Sequence, residues 1–147
     1  MATFNATDLF YKTPHVGQYG NATILDGSVT PTAGANGDIY RPMIIPAGVR
    51  VCGLEIDNAD LDTNGVPTIA CKVGYSPVRG STPAANDAYF QASGATFLNA
   101  AQRTRLAFAP ITFQADVYLL ITLTANAATF ASGRVTAVAY CVNLGVQ

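Results

Sequence analysis

The chain has 147 residues, half of them hydrophobic, only 12% charged, and a formal net charge of -1; this is enough for one domain with a core of its own and too little for two. The eight basic residues, at 12, 41, 50, 72, 79, 103, 105 and 134, form no run, which excludes an electrostatic footprint for a nucleic-acid backbone. The apolar stretches all fall short of the roughly eighteen residues that a membrane-crossing helix requires.

The charged share is about half that of an ordinary globular chain, so the surface must be built from Thr, Ser, Asn, Gly and Ala or be covered by a partner. Dilute surface charge opposes self-association weakly, which suits a protein made to assemble. The opening "MATFNATDLFYKTPHVGQYG" has no basic start followed by an apolar run, and synthesis in a reducing cytoplasm is expected. Cys52, Cys71 and Cys141 each sit in an apolar, strand-like run without Cys-x-x-Cys spacing, and the single histidine is His15. Buried free thiols are expected in preference to a zinc site or a Cys-His nucleophile.

In chain order, residues 1–36 read as an irregular arm, interrupted by Gly17, Gly20, Gly27 and "TPTAGANG", with "ATILDGSVT" as a short edge strand. The arm carries Phe4, Phe10, Tyr11 and Tyr19, aromatics that a solvated tail would have little reason to keep. It is expected to dock on its own domain or on a neighbour, with residues 37–147 forming the domain proper. From residue 38 the hydrophobic period is two. "DIYRPMII" predicts a strand that Pro42 places at an edge or on a bulge, and "PAG" (46–48) turns the chain. "VRVCGLEID" predicts a strand with Cys52, Leu54 and Ile56 on one face and Val49, Val51 and Glu55 on the other. "PTIACKVGYSP" alternates again, and a hairpin between these two runs would set Cys52 nearly opposite Cys71. "VRGSTPAAND" reads as a loop; the next stretch predicts a strand at 88–92, a helical turn near 98–104 and a strand around Leu106 and Phe108, with Arg103 and Arg105 in a solvated turn. "FQADVYLLITLTAN" is apolar on both faces, as in a central strand or one whose outer face meets another subunit, and "GRVTAVAYCVN" closes the domain. Six to eight strands with no helix of ten or more predict an all-β fold, a two-sheet sandwich of jelly-roll type; an up-and-down barrel is the alternative.

The stretch "DNADLDTNG" (57–65) holds most of the sequence's promise of chemistry. Asp60-Leu-Asp62-Thr-Asn64-Gly65 matches the opening of a calcium loop, but the twelfth position is Cys71 where a bidentate Glu is required, and a strand follows where a helix should. Asp60, Asp62 and Asn64 are thus at most a weak calcium site, and the loop is expected to be a turn built on Asx hydrogen bonds. No Gly-x-Ser-x-Gly, His-Glu-x-x-His or phosphate-cradling loop occurs, and paired carboxylates would have to come mostly from one wet turn. No enzyme activity and no cofactor are expected.

The order of segments in "GDIYRPMIIPAGVRVCGLEIDNADLDTNGVPTIACKVGYSP", with its Pro46-Ala47-Gly48 turn, the run Val49–Asp57, the acidic turn Asp60–Thr63 and the element Lys72–Tyr75, resembles small structural proteins of tailed-phage heads. "VYLLITLTANAATFASGRVTAVAYCVNLG" is similar to their final hairpin. The resemblance covers roughly residues 37–145 and departs at Tyr75, where the pattern has Asp. It implies a jelly-roll cement or decoration protein on the outside of an icosahedral head, bound to the major capsid protein and stabilising the expanded shell. It further implies a homo-oligomer, a dimer favoured over a trimer, with no nucleic acid and no membrane among its partners. Candidate interface residues are Phe4, Phe10, Tyr11 and Tyr19 in the arm, and Tyr40, Arg41, Tyr75 and Arg79 at loop ends. A small tail, fibre or baseplate component that binds the host surface is the alternative.

Overall fold

The computed structural model describes residues 1–7 and 22–144; Phe10, Tyr11, His15 and Tyr19 lie outside them. The described chain forms β1 (Thr3–Asn5), β2 (Ala22–Val29), β3 (Ile39–Arg41), β4 (Ile44–Ile45), β5 (Val49–Asn58), β6 (Ala70–Pro77), β7 (Asn86–Ala95), β8 (Gln102–Leu106), β9 (Ile111–Thr112), β10 (Val117–Ala125) and β11 (Val135–Asn143). Its helical content is one 3-10 turn, Phe97–Asn99.

Two sheets face one another. The first runs β1-β3-β10-β6-β7, with β4 also on β10; the second runs β2-β11-β5-β8, with β9 also on β5. Alternation places Val117, Leu119, Ile121 and Leu123 of β10 and Val73 of β6 inward. Opposite them stand Leu25, Val29, Val51, Leu54, Ile56, Ala137 and Ala139. Each buried Leu or Ile contributes about 1.5–3 kcal/mol, so the two inner faces account for the driving force of folding. This is the expected all-β, two-sheet sandwich with jelly-roll-like topology, and its open sheet edges set it apart from an up-and-down barrel.

Topology corrects the expected hairpins. β5 belongs to one sheet and β6 to the other, and the same holds for β10 and β11. Period-two patterning identifies a strand but does not say which sheet it joins, so the acidic loop is a crossover between layers, and Cys52 does not face Cys71. The strand face of β5 is also corrected. Register along β11 slips between Tyr140, opposite Gly53, and Cys141, opposite Val51, so Cys52 is an unpaired bulge residue. Val49 and Val51 before the bulge and Leu54 and Ile56 after it all turn inward, while Cys52 is exposed; only Cys71 and Cys141 are buried thiols. Burial pushes both of those up to about 12.

Pro42 splits the expected strand into β3 and β4, both paired with the central β10, and the register slips by one residue between Tyr40, opposite Ile121, and Ile44, opposite Tyr118, so the expected bulge is present. Its backbone then packs against β2, where a Cβ on Gly27 would fall well inside van der Waals contact distance of the Pro42 carbonyl oxygen. Gly27 is thus the residue that lets the β2 edge close on the other sheet. Arg103 and Arg105 stand on β8, not in a turn. The ends of the arm belong to the sheets: β1 lies parallel to β3, and β2 forms the edge beside β11.

Candidate functional site

The acidic loop leads to a corner of the sandwich. Asp62 is 1% exposed, and its carboxylate accepts four backbone N–H groups: Thr68 (2.8 Å), Ile69 (3.1 Å) and Ala128 (2.9 Å) on Oδ2, and Thr129 (2.8 Å) on Oδ1. These donors come from the β5–β6 and β10–β11 crossovers, so one side chain ties both layer-switching connections together. Burial acts to raise its proton affinity, but the four N–H groups outweigh burial and hold the carboxyl well below the usual carboxylate range. The neighbours support the same corner. Asp60 Oδ1 accepts the Asp62 N–H and Asn64 Oδ1 accepts the Val66 N–H, both Asx turns, and Asn64 Nδ2 donates to Thr129 Oγ1. Leu61 is fully buried beneath them, and a Cβ on Gly133 would collide with Ala59 and Leu61.

This donor set does not suit a cation. The N–H dipoles present their positive ends to Asp62, and Oδ2 already accepts three of them. Among the described residues, no group of three His, Cys, Asp or Glu side chains is placed to hold a metal ion.

The expected surface anchors divide. Tyr40 is fully buried, its hydroxyl donating to the Ala33 carbonyl, and burial first and the Asp38 charge second raise its proton affinity. Tyr75 is in the core, edge-on to Phe113 (4.8 Å), Tyr89 (5.7 Å) and Phe90 (6.3 Å). Inward alternation on β3 and β6 consumes both rings, so neither serves as an anchor on the surface. Phe4 lies half-buried with its ring edge against Tyr40. Arg41 stacks its guanidinium 4.4 Å from the Tyr118 ring centre on the outer face of the first sheet. Arg79 is exposed beside Asp116 and Ala47.

Sequence reading missed two features. Asp38 is buried, accepting the Ala2 N–H (2.7 Å) and the Ala35 N–H (2.9 Å), and so fastens β1 beside β3. The second is the outer face of the sheet β2-β11-β5-β8. Ile24 is 61% exposed and pairs with Tyr140, 39% exposed, on β11; Cys52 and Val142 border them. Alternation carried the signal, since Ile24 and Tyr140 fall on the face opposite Leu25 and Ala139, but the short edge strand "ATILDGSVT" does not by itself say that it pairs with the closing strand.

No known family model matches the chain, and no curated protein sequence matches it. Solved structures do. The chain is similar to one in the capsid of Ralstonia phage GP4, with 22% identity and a TM-score of 0.79 over 99% of this chain and 100% of that one. It is similar to one in the capsid asymmetric unit of cyanophage Pam1, with 25% identity and a TM-score of 0.70 over 89% and 91%. A third likeness, to the acid-stable capsid of Helicobacter pylori bacteriophage KHP30, has 15% identity and a TM-score of 0.58 over 83% and 88%. The fold of this chain is one that phage capsids contain, and its resemblance is to structural rather than catalytic proteins.

Proposed function

We propose that this chain is a structural virion protein that binds the outside of an icosahedral phage head and cements neighbouring major capsid subunits. The observation that carries the reading is the correspondence with a chain of the GP4 capsid over 99% of this chain and 100% of that one. The molecule also has the surface such a role needs. Small uncharged residues permit close approach of backbones, and repeated modest contacts over a shell give large kinetic stability, because loss of one copy does not free its neighbours. The contact set toward the major capsid protein is Phe4, Arg41, Arg79 and the arm residues Phe10, Tyr11 and Tyr19. Tyr40 and Tyr75 are withdrawn because they are core residues. The role includes no catalytic residue and no cofactor.

The test is to mix purified full-length protein with expanded heads lacking it and to count bound copies in an image reconstruction. Hundreds of copies on the outer shell are expected, with loss of binding when Phe10, Tyr11 and Tyr19 are together changed to Ser. Failure to bind heads, or density for a few copies at the tail, would overturn the reading; the second result would make the chain a host-contact component. Deleting residues 1–20 outright is a poorer test, because it also strips β1 and its Asp38 fastening from the sandwich.

A further inference from the structure

Among the described residues every carboxylate is already engaged. Asp38, Asp60, Asp62 and Asp116 accept backbone N–H groups. Glu55 and Asp57 hold Arg103, Asp87 holds Lys72, and Asp26 is engaged within the chain as well. The arginines are used less completely. Arg50, Arg79, Arg105 and Arg134 are exposed, and among the described residues their guanidinium groups have neither an ion pair nor a hydrogen bond. Although the formal net charge is -1, the uncommitted charge of the described surface is therefore guanidinium alone.

Two of these four groups flank the apolar part of the second sheet. Its registers set Ile24, Tyr140 and the bulge of Cys52 and Gly53 in one row, with Val138, Glu55 and Arg105 in the row on one side and Ala22, Val142, Arg50 and Thr112 in the row on the other. A hollow of about 470 Å³ opens between Ile24, Tyr140, Val142 and Cys52, and one of about 360 Å³ lies beyond the bulge between Cys52, Gly53, Arg105 and Phe108. Cys52 lines both, so together they make a shallow groove that crosses the strands. Its floor stays low because residue 53 is Gly, over which the Tyr140 ring lies; an added Cβ would meet that ring at 3.3 Å. The two outer rows are four residues of strand apart, about 14 Å, which leaves room for one extended segment whose side chains reach both banks.

A second copy of this face is a poor occupant. It would bring Arg50 and Arg105 against further guanidinium groups, and its outward acids are already spent. An apolar floor between the cations also suits side chains better than a phosphate backbone. We propose that the groove docks an extended segment of a neighbouring shell protein, with apolar side chains in the two hollows and carboxylates that pair with Arg50 and Arg105. The proposal rests on the capsid reading and gives it a second contact surface, on the sheet opposite the one that carries Phe4 and Arg41. A protein that joins two neighbours needs two such surfaces.

The full-length protein is titrated onto expanded heads lacking it, and Cys52, the exposed thiol in the groove floor, reports occupancy through its rate of reaction with a maleimide. The thiol should react fast in the free protein and at least tenfold more slowly on seated molecules. Arg50→Glu combined with Arg105→Glu, and separately Ile24→Lys, should each weaken binding about tenfold or more, whereas Arg134→Glu, an equally exposed cation at the far end of β11, should bind as the parent does. Circular dichroism of each variant checks that the sheets are intact. Groove variants that bind like the parent, or a Cys52 that stays open on seated molecules, overturn the groove and leave the capsid reading standing. An equal loss in Arg134→Glu shows that binding follows total charge and overturns it too. A Cys52 already slow in the free protein shows the groove filled by the chain's own residues 8–21 or by a second copy, which sedimentation tells apart, and either result excludes the proposal. A parent that does not bind heads removes the capsid reading and the groove together.

Discussion

Replacing Asp62 with Asn changes one atom of nearly the same size and tests the corner directly. The amide oxygen can keep the Oδ2 position and its three donors, Thr68, Ile69 and Ala128. The NH2 group must then occupy the Oδ1 position, where the Thr129 N–H points at it. Three charge-assisted bonds become neutral, at about 0.5–1 kcal/mol each, and one buried N–H loses its acceptor, at about 1–3 kcal/mol. The expected loss is roughly 3–5 kcal/mol, a large part of the 5–15 kcal/mol that usually separates folded from unfolded domains. The chain has no Trp, so urea unfolding is followed by far-ultraviolet circular dichroism and tyrosine emission, with unchanged m-value as the check that the folded state is intact.

The same substitution carries a pH signature of known sign. Asp62 in the folded state titrates well below the ordinary carboxylate value, so its contribution is complete above about pH 4, where the unfolded chain's carboxyl is ionised. It is lost as pH falls through the lower folded value. Between neutral pH and about pH 4 the difference between parent and Asp62→Asn should stay constant, and below that it should shrink. A stability loss under about 1 kcal/mol at neutral pH, or a difference that grows on acidification, would refute the assignment of Asp62 as the tie between crossovers.

Gly27→Ala should destabilise by about 2 kcal/mol or more, because the added Cβ meets the Pro42 carbonyl oxygen and can be relieved only by moving backbone in both sheets; a neutral result by chemical denaturation would show that the two edges yield. Of the three thiols, Cys52 should react with a disulfide reagent in the folded protein at once, while Cys71 and Cys141, buried and pushed up to about 12, should react only on unfolding. Three fast thiols by absorbance would contradict the burial of the other two.

What the sequence made legible follows the range of the interactions. Alternation is a local signal, and it located β5, β6, β10 and β11 to within four residues at each end and predicts the sandwich. Sheet membership is decided by partners far along the chain, and alternation is the same whether the next strand returns to its own layer or crosses to the other. That is why the two runs flanking the acidic turn read as a hairpin, while the hairpin of the last two strands rests on the resemblance alone. The Cys52 bulge escaped for a related reason: an inserted residue inverts the faces beyond it, and "VRVCGLEID" offers two equally regular ways of assigning them. Asp38 and Gly27 were invisible because what makes each necessary, the Ala2 amide and the Pro42 carbonyl, has no sequence-adjacent trace. Asp62 was legible as part of an architectural turn, but not as the residue that ties two crossovers. The acid-rich turn announced itself, but only the fold tells its carboxylates apart: Asp60 makes a local turn, and Asp62 holds two distant segments.

The low charge content takes on a sharper meaning once the charges are placed. Asp38 and Asp62 are buried and serve backbone N–H groups; Lys72 pairs with Asp87 (2.7 Å), and Arg103 with Asp57 and Glu55. A share that is already about half the usual one is therefore reduced again by internal pairing, and long-range steering of a partner has little left to act through. Recognition by this molecule must rest on shape and apolar contact at short range, which is slow to form and slow to come apart. A shell component that has to stay in place once seated gains from that balance, whereas a receptor that must capture a target from dilute solution would lose by it.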